Sequence, residues 1–450
     1  MSLMQLIDHP GARRRVSAEE STRMFLDRIA KRTPKVRAVV TPTPEIALAD
    51  AQRVDEARRN GNPLPLDGMT IVLKDNIDVG GVRSASGSLL LGREPAPCDS
   101  MVVALLREAG GIILGKAQST EMMFALSSNP RASSALNPWD RKRIAGASSS
   151  GSGSALADDQ CIGALGTDTG GSVRIPAAFC GVSALRPTFG TVSTAGVFPL
   201  ARSFDTVGPM ARSARDVAAM FEVIARYDPQ DSRSVHLHTH TGQAAKSLRI
   251  GLPRQFFRDD CDPEIIDAVD RAAGHLEKLG HRLVTVDLPM AEEAQKGFTE
   301  FLWTEVLALH ADRLAEFPSM ISVDVRKRLR FGRKMTTRRL VEIIESMHGW
   351  RQQLATVFED HADVILTPTV QCAPPLDAEA RVGKMPGVTR LTYPWSFGHL
   401  PAMSIPCGFT ASGLPIGLQL AAAPHCDRRL LKLAIQYQKK TDWHLRRPSQ

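Results

Sequence analysis

Two glycine- and serine-rich stretches hold the residues best suited to chemistry. In "GALGTDTGGSVRIPAAFCG" (163–181), Ser172 stands directly behind Gly170 and Gly171, in an otherwise apolar setting. Glycine reaches backbone conformations closed to other residues and lets a ligand approach the main chain. Successive bare N–H groups form a concavity that attracts negative charge. Two anions could use it: a bound phosphate, or the oxyanion that forms during acyl transfer. The second stretch, "RIAGASSSGSGSALA" (143–157), leads straight into small residues that suit a helix. It reads as a tight turn at a helix start rather than as a Gly/Ser linker. No lysine follows its glycines, so the phosphate-cradling G-x-x-x-x-G-K-[ST] pattern is missing and nucleotide binding is disfavoured.

Acyl transfer by a serine requires a base, because a hydroxyl is a poor nucleophile at neutral pH. A G-x-S-x-G elbow would call for a histidine and an acid. Gly151-Ser152-Gly153-Ser154 does not supply that elbow, and none of the twelve histidines sits in a comparable glycine setting. The remaining candidate is Lys74, in "VLKDN" at the end of an apolar run. A lysine delivered by a buried strand loses solvation, and its pKa falls. Taken alone, Lys74 could equally be the ion partner of Asp75. Cys180, eight residues beyond Ser172, is an alternative nucleophile, although buried cysteine usually behaves as a small hydrophobe.

These residues need elements to hold them. "SAEESTRMFLDRIAK" (17–31) opens with Ser17 three residues before Glu20, a capping-box spacing, and continues with helical periodicity. "EIALADAQRVDEARRNG" (45–61) reads as a second helix closed by Gly61. "MTIVLKDNIDV" (69–79) is a β-rich run ending in charge, and "MVVALLREAGGIILGK" (101–116) is helix, turn, strand. Strand, helix and strand recur at 248–253, 264–281 and 282–289, with later strands at 362–370 and 413–422. The 290–360 stretch is mostly helical, and 228–247 is a polar loop. The predicted class is α/β, one large domain with a mixed, mostly buried central sheet covered by helices. Residues 1–61 supply N-terminal helices and 290–360 a helical insertion on the substrate side.

With 450 residues, 43% hydrophobic and 23% charged, the chain can bury a large core. No apolar run approaches the roughly 18 residues of a membrane span. The first residues lack the pattern of a secretory signal. The seven cysteines are spread without a C-x-x-C pair, which fits free thiols in a reducing compartment. A cytoplasmic location is expected. The net charge of +8 is scattered and aromatics are only 5%, which argues against nucleic-acid stacking platforms. One dense basic cluster, "VRKRLRFGRKMTTRR" (325–339, its cations from 326 to 339), reads as a solvated helix face or as an attractor of anions. His236, His238 and His240 alternate as on a strand face, yet an exposed loop explains them better than a metal.

Taken together, "KDN", "GASSSGS" and "GTDTGGSVRIPA" resemble, in order and spacing, the amidase signature family. The likeness spans most of the chain and includes "PAMSIPCGFTASGLPIGLQL" (401–420). It implies a Ser–cisSer–Lys triad, with Ser172 the nucleophile, Lys74 the base, and Ser148 a bridging serine preceded by a cis peptide. It also implies an oxyanion hole built from the backbone of Thr169, Gly170, Gly171 and Ser172. Asn76, Asp168 and Arg174 are then expected to brace the loop, with a plain structural ion pair the alternative for Arg174. Met122, Met123, Phe124 and Leu126 point to an apolar acyl pocket or, equally readable from their types, to ordinary core.

The reaction expected from the resemblance is hydrolysis of a small carboxylic amide through an acyl-enzyme, with no metal and no organic cofactor. The expected partners are a small-molecule amide, no nucleic acid, no membrane, and a second copy of the chain paired through the N-terminal helices. Within the family the alternative is the glutaminase (A) subunit of a tRNA-dependent amidotransferase. From another class it is an inactive scaffold. Three positions depart from the common pattern: Ala147 for a second glycine, Met69-Thr70 for Ile/Val-Pro, and 119–140 without an acidic-aromatic-alanine run. The last of these leaves the substrate open.

Overall fold

Among the described residues, eleven strands join into one mixed sheet. The computed structural model describes residues 2–92, 94–125, 134–238, 247–381 and 387–449. In chain order the strands are β1 (Val39–Pro42), β2 (Thr70–Lys74), β3 (Ile112–Ala117), β4 (Gly163–Asp168), β5 (Ser183–Arg186) and β6 (Thr206–Ala211). They continue as β7 (Arg249–Pro253), β8 (Arg282–Val286), β9 (Val364–Pro368), β10 (Ala402–Phe409) and β11 (Pro415–Ala421). Their spatial order is β1-β3-β2-β4-β6-β5-β10-β11-β9-β7-β8. β2 runs parallel to β3 and β4, and β7 parallel to β8 and β9, while the other pairs are antiparallel. Strands in a parallel centre are covered on both faces, and every residue of β2 through β6 is buried.

The N-terminal segment contributes helices Leu3–Asp8, Ala18–Val36 and Pro44–Arg59, with edge strand β1 between the last two. Ser17 caps its helix by accepting from the Glu20 N–H at 3.0 Å. Asp55 accepts from the Ala18 and Glu19 N–H groups at 2.7 and 3.1 Å, which docks the third helix on the start of the second. Helices Ala291–Glu316, Val323–Gly332 and Thr337–Thr356 pack with Tyr393–Phe397 around a second apolar cluster that includes Phe298, Leu302, Trp350 and Trp395. The main core lies around β2, β4, β6 and β10. The chain is thus a single α/β domain with a large mixed sheet flanked by helices. Among the described residues, no helix is long and apolar enough to cross a membrane.

The second serine-rich stretch does form a helix, Ser150–Ala157, and all eight of its residues are buried. Helix and chain pass so closely here that a Cβ on Gly151 would lie 2.3 Å from the Gln118 nitrogen. His236 stacks on Tyr227 and His238 lies edge-on to His425, while His240 falls outside the described residues.

Candidate active site

β2 and β4 are parallel neighbours, so their C-terminal ends deliver Lys74 and Thr167–Asp168 to one edge of the sheet. Such an edge is where open α/β sheets form their ligand crevices. Lys74 is fully buried. Its Nζ lies 2.7 Å from Ser148 Oγ, 2.8 Å from Thr167 Oγ1 and 3.3 Å from the Thr167 carbonyl. Among the described residues, no carboxylate comes within ion-pair distance of it. Asp75, its sequence neighbour, faces Lys116 at 3.7 Å instead. Burial lowers the Lys74 amine from 10.5 to about 7, while Asp205 and Asp168 hold it from falling further.

The Ala147–Ser148 peptide is cis. Of the serines at 148–150, Ser149 Oγ donates to the Thr167 carbonyl at 3.3 Å and Ser150 Oγ to that of Gln118 at 3.5 Å. Ser148 instead meets Lys74 and lines a tight cavity of about 40 Å³ together with Ser172. The Ser149 N–H donates to the Ser172 carbonyl at 3.1 Å, tying the two serine segments together. From residue 144 to residue 188, Ser172 is the single residue that is not buried. One serine is left partly accessible in a closed block.

The loop behind Ser172 differs in one respect from the expected cradle. The N–H groups of Thr169, Gly170 and Ser172 have no partner among the described residues, but that of Gly171 turns inward to Asp168 Oδ1 at 2.7 Å. Asp168 also accepts from the Val173 N–H at 3.3 Å and from Arg174 Nε and Nη2 at 3.0 and 2.9 Å. Arg186 reaches both its carboxylate, at 3.2 Å, and its carbonyl. Burial alone would raise the Asp168 carboxyl, yet Arg174, Arg186 and the Gly171 N–H hold it well below the usual carboxylate range. Gly170 and Gly171 are required by the wall behind them. A Cβ on Gly170 would lie 2.5 Å from the Tyr393 ring, and one on Gly171, at φ +127°, 2.4 Å from Thr392 Oγ1.

Arg174 is both ion partner and brace, since it also donates to the Thr392 carbonyl, Gln419 Oε1 and Ser396 Oγ at 2.8–3.1 Å. Asn76 Nδ2 donates to Thr167 Oγ1 at 3.3 Å and to the Phe198 carbonyl at 3.1 Å, so it steadies the threonine that holds Lys74. Cys180 is buried, with its thiol on the Ala145 carbonyl at 3.4 Å, and burial pushes that thiol's pKa up. It does not line the cavity.

Met123 and Phe124 line the cavity with Ala125, Leu200, Leu302 and Trp303. Met122 does not. In a 3₁₀ turn at φ 50° its N–H donates to the Ser86 carbonyl, and its side chain is buried outside the cavity lining. Leu126 lies outside the described residues. Arg328, from the basic cluster, also lines the cavity, 5.9 Å from the Phe124 ring and 3.2 Å from Asp324. Five of its neighbours, Arg326, Lys327, Arg330, Arg333 and Lys334, are exposed. Sequence reasoning missed Thr167, Arg186, Asp205, Thr392 and Tyr393. No local pattern marks them, because their roles come from contacts across the sheet.

A family model described as Amidase matches residues 20–431. Among curated relatives, the glutamyl-tRNA(Gln) amidotransferase (A) subunit of Moorella thermoacetica is 35% identical over 97% of this chain and 96% of its own. Among solved structures, 6-aminohexanoate cyclic dimer hydrolase complexed with substrate superposes with TM-score 0.85 at 26% identity, covering 97% of this chain and 96% of its own. Peptide amidase from Stenotrophomonas maltophilia does so with TM-score 0.80 at 27% identity, covering 95% and 94%.

The curated relatives correct one expectation. A lone chain acting on a small-molecule amide, with no nucleic acid and at most its own copy as partner, does not agree with them. Relatives 34–35% identical across 96–100% of the chain are, by name, subunits of an amidotransferase of glutamyl-tRNA(Gln). Scattered charge and sparse aromatics speak only to direct nucleic-acid contact, and carry no information about assembly.

Proposed function

The chain belongs to the amidase family, and from that premise we propose that it is the amide-hydrolysing subunit of an amidotransferase. It releases ammonia from a glutamine-type carboxamide through an acyl intermediate on Ser172. The observation that carries this reading is Lys74 Nζ at 2.7 Å from Ser148 Oγ, with no carboxylate paired to it among the described residues, where Ser148 and Ser172 share one cavity. A cytoplasmic setting fits its seven free cysteines.

Neutral Lys74 takes the Ser148 proton as Ser148 takes that of Ser172, and Ser172 Oγ bonds to the amide carbon. The carbonyl electron pair becomes an oxyanion, received by the N–H groups of Thr169, Gly170 and Ser172. Losing one such donor raises a barrier of this kind by about 2.7–4 kcal/mol. An amide nitrogen leaves only as a neutral amine, so the C–N bond breaks as Ser148 returns a proton and draws another from Lys74. Water then attacks the ester through the same relay, and the acid leaves. Arg328 supplies the cation that a glutamine carboxylate would need.

A second reading draws on the cavity wall. Met123, Phe124, Leu200, Leu302 and Trp303 favour an uncharged amide with an apolar acyl group, released as acid and amine. Ammonia and amine release from glutamine and from a panel of uncharged amides separates the two. It should be measured on the purified chain and on complexes with co-expressed partner subunits. Glutamine turnover that rises in the complex is expected. Inert glutamine in both preparations, with turnover of uncharged amides, would replace the first reading by the second. A fluorophosphonate that fails to label Ser172 would return the chain to the scaffold class.

A further inference from the structure

One acid beside the site takes no part in the steps above. Asp205 lies one residue before β6, and its carboxylate is engaged at both ends. Oδ1 accepts from the Thr169 hydroxyl at 2.5 Å, and Oδ2 from the Leu200 and Ala201 N–H groups at 2.8 and 3.1 Å. The pairing of Asp168 with Thr206 in β4–β6 brings Asp205 level with Thr169. Thr169 and Leu200 both line the active cavity, so one carboxylate ties two of its walls. Asp205 also lines a second, polar cavity of about 270 Å³, with Thr194, Arg202, Gln230 and Arg233.

We propose that Asp205 is a positioning residue for amide hydrolysis, clamping Thr169 and Leu200 and setting the electrostatic field at Lys74. The inference rests on Lys74 being the base. A carboxylate suits the task because it accepts at both ends, whereas asparagine must present an NH₂ at one of them. Bonds to a charged acceptor are also the stronger kind. Several charged groups bear on the pair. Asp205 and Asp168 both act on Lys74, while Arg186 and Glu305 act on Asp205. Arg202, Arg233 and Asp231 share the second cavity. Burial pushes the Asp205 carboxyl up to about 6, with its three hydrogen bonds opposing and Glu305 adding to the rise.

The test follows fluorophosphonate labelling of the full chain against pH, a readout independent of substrate, in wild type, Asp205→Asn and Thr169→Val. Removing the negative charge makes Lys74 easier to deprotonate. In Asp205→Asn the acid limb is expected to move down by about one pH unit, the low end of what one nearby opposite charge does. The plateau should fall on the order of tenfold, because the N–H groups meant for the oxyanion lose their clamp. Thr169→Val should lower the plateau with little change in thermal unfolding. A folded Asp205→Asn whose acid limb superimposes on that of wild type overturns the proposal. If Asp205→Asn does not fold, Thr169→Val decides, and an unchanged plateau there overturns it. Absence of labelling in wild type sinks the assignment of the base itself, which is a distinguishable failure.

Discussion

The pH dependence of acylation is the sharpest consequence of the site's geometry. An amine lowered from 10.5 to about 7 is half neutral at pH 7. Unshifted, it would be neutral in only about three molecules in ten thousand, so burial enriches the reactive form on the order of 10³-fold. The rate of Ser172 labelling, and kcat/KM for ammonia release, should rise about tenfold per unit below pH 7 and level off above pH 8. Lys74→Arg, charged throughout, should lose at least that 10³-fold. The same shift leaves a mark on stability, and its sign is fixed. Between pH 7 and 10.5 the unfolded chain binds the proton that the folded chain lacks, so stability rises with pH across that window. Below pH 7 the burial penalty is present in full, with a ceiling of about 5 kcal/mol. The advantage of Lys74→Met over wild type in thermal unfolding should therefore be larger at pH 6 than at pH 9. An acid limb centred above pH 9, or an advantage independent of pH, would refute the assignment.

Ser172→Ala should abolish labelling and lower turnover by at least about 10⁴-fold while thermal unfolding stays within about 1 kcal/mol, since the residue is partly accessible. Gly171→Ala places a Cβ 2.4 Å from Thr392 Oγ1 at φ +127°, so it should lose both activity and stability, as read by labelling and by the denaturation midpoint. Asp168→Asn leaves Arg174 and Arg186 buried without their shared anion and should destabilise by about 3–5 kcal/mol in urea. Because that carboxyl is depressed when folded, its contribution is present above about pH 4 and fades as pH falls further. Arg328→Gln should raise KM about tenfold for amides that carry a carboxylate and leave uncharged amides unaffected, as steady-state kinetics on both classes would show.

How much of this was readable from the chain depends on whether a residue's role is local. Ser172 and Lys74 announce themselves, one by its pair of glycines and the other as a charge ending an apolar run. Ser148 does not, since three consecutive serines look alike. Only the fold directs Ser149 and Ser150 to carbonyls and leaves Ser148 facing Lys74. The strands "GALGTD", "SALR" and "TVGPMA" are poor in the branched residues that favour strands, and pairing across the sheet makes them strands. Of the apolar run at 122–124, Met123 and Phe124 line the cavity and Met122 does not, a distinction set by the 3₁₀ turn rather than by residue type. Asp205 and Thr392 act on residues 36 and 222 positions away, beyond any local signal.

The charges around Lys74 explain why the site works as a unit. Asp168 and Asp205 bring two negative charges once both are ionised, and Arg174 and Arg186 bring two positive ones. Among these four side chains the charges balance while Lys74 is neutral, and protonating Lys74 adds a cation to a block whose burial disfavours it. Without the bidentate hold of Arg174, the full field of Asp168 would favour the protonated amine and silence the base. In the proposed attack by Ser172, Lys74 gains a proton as the substrate oxygen gains a negative charge, so that balance is kept through the tetrahedral stage. The two new charges offset each other, so little net charge has to be created in a medium that penalises it. On this reasoning Arg174→Met should slow acylation by raising the pH at which Lys74 becomes neutral, even where the protein stays folded. An acid limb that stays in place in that variant would show that Arg174 only braces the loop.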